Sequence, residues 1–139
     1  KTKYTGMAVC SDLGFKNDVH PTNKKEVGER LARWALYNDY KRKVIPSGPL
    51  PLSAKYVKGQ VIISFQYVAE GLQTADKKPV RGFSADGKTE TDAVVQNNSI
   101  IIEVKEKPLF VYYAWKPFTD ANLVNSEQLP ASTFKINVD

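Results

Sequence analysis

The sequence predicts an α/β chain in two parts. A buried strand, a loop and a helix over residues 1–45 are expected to belong to a parallel sheet, and an antiparallel, β-sandwich-like region is expected over residues 46–139. Three observations carry this reading. A short, nearly continuous apolar run, Met7-Ala8-Val9-Cys10, lies near the start. Val27, Leu31, Trp34 and Ala35 recur with helical spacing. Beyond Pro46 the apolar residues switch to a period of two.

Residues 1–12 come first, and their continuous apolar run suits a strand covered on both faces. The helix follows, predicted from about residue 24 to about residue 40, its apolar arc on one side at i, i+4, i+7 and i+8. Pro21 marks its approach, and Asn23 with Glu26 three residues later reads as a capping pair. The Asn side chain takes a free amide and the Glu reaches back to the cap. The cluster Pro46-Ser-Gly-Pro-Leu-Pro51 then breaks any helix or central strand. Strands are expected where Val61, Ile63, Phe65 and Tyr67 alternate with other residues, then Ile100, Ile102 and Val104, then Leu109, Val111, Tyr113 and Trp115. Lys58-Gly59 and Asn97-Asn98 sit between apolar runs where tight turns need positive φ.

Composition narrows the function classes. At 139 residues, 42% hydrophobic and 25% charged, the chain can bury a core and holds one ordinary domain or two small ones. Its longest apolar runs are far short of the roughly 20 residues of a membrane span. Cys10 is the only cysteine, which excludes a disulfide scaffold and a thiolate metal cluster. A single His with no carboxylate cluster makes no metal site, and no cofactor is implied. Lys1 follows no leader in the sequence shown, so a fragment or a processed chain is expected. The net charge of +5 arises in the first third, where ten Lys/Arg face five Asp/Glu. On a helical wheel Lys24, Lys25, Arg30, Arg33 and Lys41 to Lys43 fall all round, with Glu26 and Glu29 among them. That is a solvated helix face, and nucleic acid is not an expected partner.

The only histidine, His20, stands in Asp18-Val-His-Pro21 on the loop between the expected strand and helix. Ligand crevices of parallel sheets lie beyond the carboxyl ends of the strands, so Asp12, Asp18 and His20 are candidate site residues. The bland readings are a carboxylate capping the Leu13-Gly14 turn for Asp12 and solvated loop side chains for the other two. Trp34 reads as core, on the apolar helix arc. Tyr112, Tyr113 and Trp115 could stack on sugar rings, although alternation favours Tyr113 and Trp115 as sandwich core.

Thr5-Gly-Met-Ala-Val-Cys-Ser-Asp-Leu-Gly14 with Asp18-Val-His-Pro-Thr-Asn-Lys-Lys-Glu-Val-Gly-Glu-Arg-Leu-Ala32 closely resembles the last catalytic block of the sialate O-acetylesterases, carbohydrate esterases of the SGNH hydrolase superfamily. Ser47-Gly-Pro-Leu50, Tyr113-Ala-Trp115, Asn122-Leu123, Asn125 and Leu129-Pro-Ala-Ser-Thr-Phe134 look like the tail of the same family. The resemblance implies that residues 1–45 are the C-terminal end of an SGNH-type parallel-sheet hydrolase domain and residues 46–139 a β-rich accessory domain. It implies a serine-type esterase that removes acetyl groups from sugar hydroxyls, with His20 as the catalytic base. No serine here stands in the family's nucleophile context, so the Ser is expected upstream, on an N-terminal segment or a second chain. The superfamily's Asp-x-x-His spacing would fall on Asn17. Asp18, two residues before His20, is the favoured orienting acid, with Asp12 or a backbone carbonyl as the rivals. Tyr112 stands where the family commonly has Arg. The implied partner is an acetylated glycan of sialic acid or xylan type, and the implied location is periplasmic or secreted. The competing reading is a non-catalytic carbohydrate-binding or structural β-module.

Overall fold

A computed structural model describes residues 5–18, 20 and 22–139. Among the described residues nine strands and one helix follow one another as α1 (Lys24–Asn38), β1 (Leu50–Val57), β2 (Gln60–Gln66), β3 (Leu72–Thr74), β4 (Phe83–Ser84), β5 (Ala93–Gln96), β6 (Ser99–Glu103), β7 (Phe110–Tyr113), β8 (Leu123–Asn125) and β9 (Phe134–Asn137). They form a four-stranded sheet in the order β1-β2-β6-β5, a three-stranded sheet β4-β7-β9 and a β3-β8 pair. Each strand pairing is antiparallel.

Local chemistry explains the larger sheet. Along β2 the buried Val61, Ile63 and Phe65 alternate with half-buried residues, and Ile100 and Ile102 of β6 lie opposite Ile63 and Val61. Lys58 and Gly59 both take positive φ, as do Asn97 and Asn98. These are the mirror-image turns whose twist suits a two-residue hairpin. Pro51 is tolerated because β1 is an edge strand, and the register slips between Pro51 and Ser53. Phe83, Val111, Tyr113 and Phe134 cover this sheet from the smaller one in a common core. The rings of Phe65 and Phe134 meet edge-on across the gap at 5.9 Å. The chain end ties the sheets together, since Asp139 N–H donates to the Ala54 carbonyl and Tyr56 N–H to that of Asp139, both at 2.9 Å.

The expected parallel-sheet hydrolase unit is overturned. Among the described residues there is no parallel pairing, and residues 5–10 are irregular rather than a strand. The reason lies in where their carbonyls go. Trp34 Nε1 donates to Met7 O at 2.9 Å and Arg30 Nη1 to Val9 O at 2.5 Å. Helix side chains thus satisfy acceptors that a neighbouring strand would otherwise take. Residues 1–4, at the start of the expected strand, and Pro21, its expected companion at the helix start, lie outside the described residues.

The helix itself stops at Asn38, short of residue 40. Asn23 caps it, its side chain accepting from Glu26 N–H at 3.2 Å. The Glu26 carboxylate turns to Arg30 Nη2 at 3.4 Å rather than back to the cap. No helix residue is fully buried. Of the predicted arc, Val27, Trp34 and Ala35 are half-buried and Leu31 is exposed. The ring of Trp34 meets Tyr67 edge-on at 5.8 Å. Among the described residues no helix is long and apolar enough to cross a membrane.

Candidate functional site

His20 lies on the loop that enters α1, after a tight turn in which Asp18 N–H points at the Phe15 carbonyl at 3.5 Å. Asp18 Oδ1 accepts from the His20 backbone N–H at 2.8 Å. The same oxygen stands 3.4 Å from His20 Nδ1. An Asp two residues ahead therefore reaches the imidazole by folding back over a single intervening residue. His20 is 88% exposed and Asp18 55% exposed, so Nε2 is open to an incoming group. Val19, between them, lies outside the described residues. No serine hydroxyl is hydrogen-bonded to the His20 ring among the described residues.

Asp12 has a different partner. Its two oxygens receive Arg30 Nη1 and Nη2, each at 2.6 Å, in the bidentate geometry that suits a guanidinium and a carboxylate. The Asp12 carboxylate holds the Arg30 guanidinium above its ordinary pKa. Its role here is to fasten residues 9–12 to α1.

The segments that carried the resemblance at the far end meet in space. Buried Asn125 donates from Nδ2 to the carbonyls of Ser47 and Tyr67 at 3.1 and 2.9 Å. Its Oδ1 accepts from the N–H groups of Glu127 and Leu129. Gly48 lies so close to Pro130 that a Cβ would stand 2.0 Å from its carbonyl oxygen. Asn122 is used in the same way, donating to Asp76 Oδ1 and Pro79 O and accepting from Arg81 N–H. These residues are satisfied internally and act as struts between loops.

The Tyr-Ala-Trp triplet divides. Tyr113 is core, with its hydroxyl accepting from Leu123 N–H at 2.9 Å. Ala114 takes φ of 52° and is buried, which ends β7 and breaks the alternation. Trp115, expected inside, is consequently 50% exposed, and Leu109 at the other end is 81% exposed. No sequence signal marked Ala114 as left-handed, because alanine seldom adopts that conformation.

The geometry defines a class: an antiparallel β-sandwich carrying an exposed histidine and carboxylate on the loop ahead of α1. No family model matches the chain, and no curated protein matches it. A solved structure of this build is that of a carbohydrate acetylesterase from Xanthomonas citri, with a TM-score of 0.81 and 32% identity over 91% of this chain. The chain spans 31% of the length of that enzyme. It is therefore similar in fold and sequence to one part of a carbohydrate esterase.

Proposed function

We propose that this chain is the histidine-bearing part of a carbohydrate O-acetyl esterase of the sialate O-acetylesterase kind. The observation that carries the reading is the likeness to the acetylesterase, 32% identical over 91% of the chain. His20 is the general base, and Asp18 is the acid that orients it. A serine from outside these residues, on an N-terminal segment or a second chain of the same enzyme, attacks the acetyl carbonyl while His20 Nε2 takes its proton. The tetrahedral intermediate collapses to an acetyl-enzyme as His20 returns that proton to the departing sugar oxygen. Water, deprotonated by His20, then releases acetate and restores the serine hydroxyl. The shared oxygen of Asp18 near Nδ1 favours the tautomer with Nδ1 protonated and Nε2 free to accept. That the chain spans 31% of the neighbour's length supports a nucleophile outside it, and so does the exposure of His20, since a working base needs its serine and its substrate beside it. The substrate is an acetylated glycan of sialic acid or xylan type, met in a periplasmic or secreted setting.

The test is reconstitution. The chain alone should release no acetate from acetylated xylan or O-acetyl sialic acid, and the assembly with the serine-bearing part should. His20→Ala in that assembly should remove most turnover; rates like those of the unchanged assembly would refute the mechanism. A second reading, a carbohydrate-binding β-module without catalysis, is favoured by half-exposed Trp115, and a whole protein that binds glycan without ester hydrolysis would select it.

A further inference from the structure

We propose that the apolar groove between residues 7–11 and residues 114–119 is the seat of the serine-bearing part of the esterase. This names the partner surface of that reading and rests on it for the identity of the partner. The groove measures about 600 Å³ and is lined chiefly by Met7, Ala8, Val9, Trp115, Pro117 and Phe118, of which Met7, Trp115 and Phe118 are half or more exposed. Room of that order takes several side chains. Among the described residues that line it, Lys116 alone carries a charge, and its flexible stem lets the ammonium leave for solvent when the groove is covered. A contiguous apolar concavity of this size marks a surface that a partner buries.

One wall is made where β7 ends. Were β7 to continue, Trp115 would enter the core after Val111 and Tyr113. Instead Ala114 is held left-handed, an uncommon state for a residue with a Cβ. Its N–H donates to the Gly82 carbonyl at 2.9 Å. Thr133 Oγ1, itself on the groove, lies 3.1 Å from the carbonyl oxygens of both Tyr113 and Ala114, which share its proton. The indole turned outward in this way is braced by the Tyr112 ring at 5.7 Å. The opposite wall keeps unused backbone donors. Trp34 and Arg30 take the carbonyls of Met7 and Val9, but the N–H groups of Met7, Ala8, Val9 and Cys10 donate to no group among the described residues, and the last three of these residues are half-buried. An occupant that excludes water here has to bring acceptors for them. A stretch of protein brings backbone carbonyls together with apolar side chains, whereas a lipid chain brings no acceptors and a sugar little apolar bulk.

Among proteins, the rest of the enzyme fits best. The likeness to the acetylesterase covers 91% of this chain and 31% of that one, so on the esterase reading a larger body has to pack against this one. The wall formed by residues 7–11 continues through Asp12, fastened to Arg30, into the loop of His20, where the nucleophile has to arrive. A second copy fits less well, because in a two-fold pair the groove would meet itself and stay unfilled.

Hydroxyl-radical footprinting, read by mass spectrometry on the 139-residue chain and on the whole protein, tests this. Met7, Trp115 and Phe118 should be oxidised readily in the chain and protected several-fold in the whole protein, with exposed Tyr40 reacting alike in both. Met7→Asp and Phe118→Asp should each weaken association of the chain with the serine-bearing part by about tenfold or more. The thermal midpoint of the chain should stay unchanged in both, because these side chains are exposed. Unprotected Trp115 and Phe118 in a protein that releases acetate would overturn this proposal and leave the esterase reading standing. Protection of the groove in a protein that releases no acetate would support the docking and overturn the esterase reading. Protection that requires added xylohexaose, or a dimer of the chain that Phe118→Asp dissolves, would give the groove to a glycan or to a second copy and overturn the proposal as well.

Discussion

Two carboxylates flank the histidine loop, and their partners assign them different work. Asp12 is engaged on both oxygens by Arg30, whose side chain is 11% exposed. Asp18 is left facing His20. Replacing Asp12 with Asn removes the charge from a half-sheltered bidentate pair, so Asp12→Asn should lower unfolding stability by about 1–2 kcal/mol without changing the pH profile of the assembled esterase. Asp18→Asn should do the reverse: a thermal midpoint like that of the parent, and slower acetyl transfer, though less slow than in His20→Ala. Because His20 is 88% exposed, His20→Ala should itself change stability by less than about 0.5 kcal/mol, as read by urea denaturation. That leaves turnover as the clean readout. Loss of activity from Asp12→Asn with none from Asp18→Asn would move the orienting role to Asp12.

At the scale of elements, α1 and the β-sheets are held by different means. The strands bury Val61, Ile63, Ile100, Ile102 and Val111 completely, whereas α1 has no fully buried residue and attaches through side-chain hydrogen bonds and the edge-on contacts of Trp34 and Tyr37 with Tyr67. Arg30 and Trp34 reach residues 7–12, and Arg33 donates to the Ile45 carbonyl at 3.0 Å and to Glu127 at 2.5 Å. Polar attachments of this kind contribute little net free energy compared with buried apolar area. Native-state hydrogen exchange should therefore show α1 amides opening at a lower free energy than those of β2 and β6. Asn23→Ala should cost about 1 kcal/mol of helix stability, visible as faster exchange in α1 with β2 and β6 unchanged. Uniform protection across α1 and the sheets would contradict this hierarchy.

For the whole molecule, pH should expose two limits. The Arg81 guanidinium, then the Asn122 amide, hold the Asp76 carboxyl well below the usual carboxylate range. The backbone N–H groups of Thr89 and Lys88, with the Ser84 hydroxyl, do the same for Asp86. Folded-state values below the unfolded ones mean that this stabilisation is complete above about pH 5, where an unfolded Asp is almost fully ionised. It is lost as pH falls toward the folded values. Burial pushes the Tyr113 phenol above its ordinary value, so its contribution is present below about pH 10 and declines as pH rises beyond. Urea midpoints should form a plateau with an acid and an alkaline limb, and Asp76→Asn should flatten the acid one. An acid limb unchanged in Asp76→Asn would show that other carboxylates control it.

What the sequence determined by itself is what neighbouring residues decide. The alternation in β2 and β6, the positive-φ turns at Lys58-Gly59 and Asn97-Asn98, and the Asn23 cap depend on sterics and hydrogen bonds within a few residues, so they are legible without the fold. The position of His20 on a loop ahead of the helix, two residues after Asp18, is legible for the same reason. Tertiary structure decided which distant group answers each unsatisfied one. Met7 and Val9 read as a strand until Trp34 and Arg30 take their carbonyls. Asp12 could orient His20 until Arg30 binds it. Ser47 and Gly48 show no link to Asn125 and Pro130 until the chain brings them into contact. Trp115 continues the β7 alternation on paper, but Gly82 and Thr133 hold Ala114 left-handed and turn the indole to solvent. Periodicity encodes which face a residue would take if its strand continued; whether it continues is settled by partners far away in the chain.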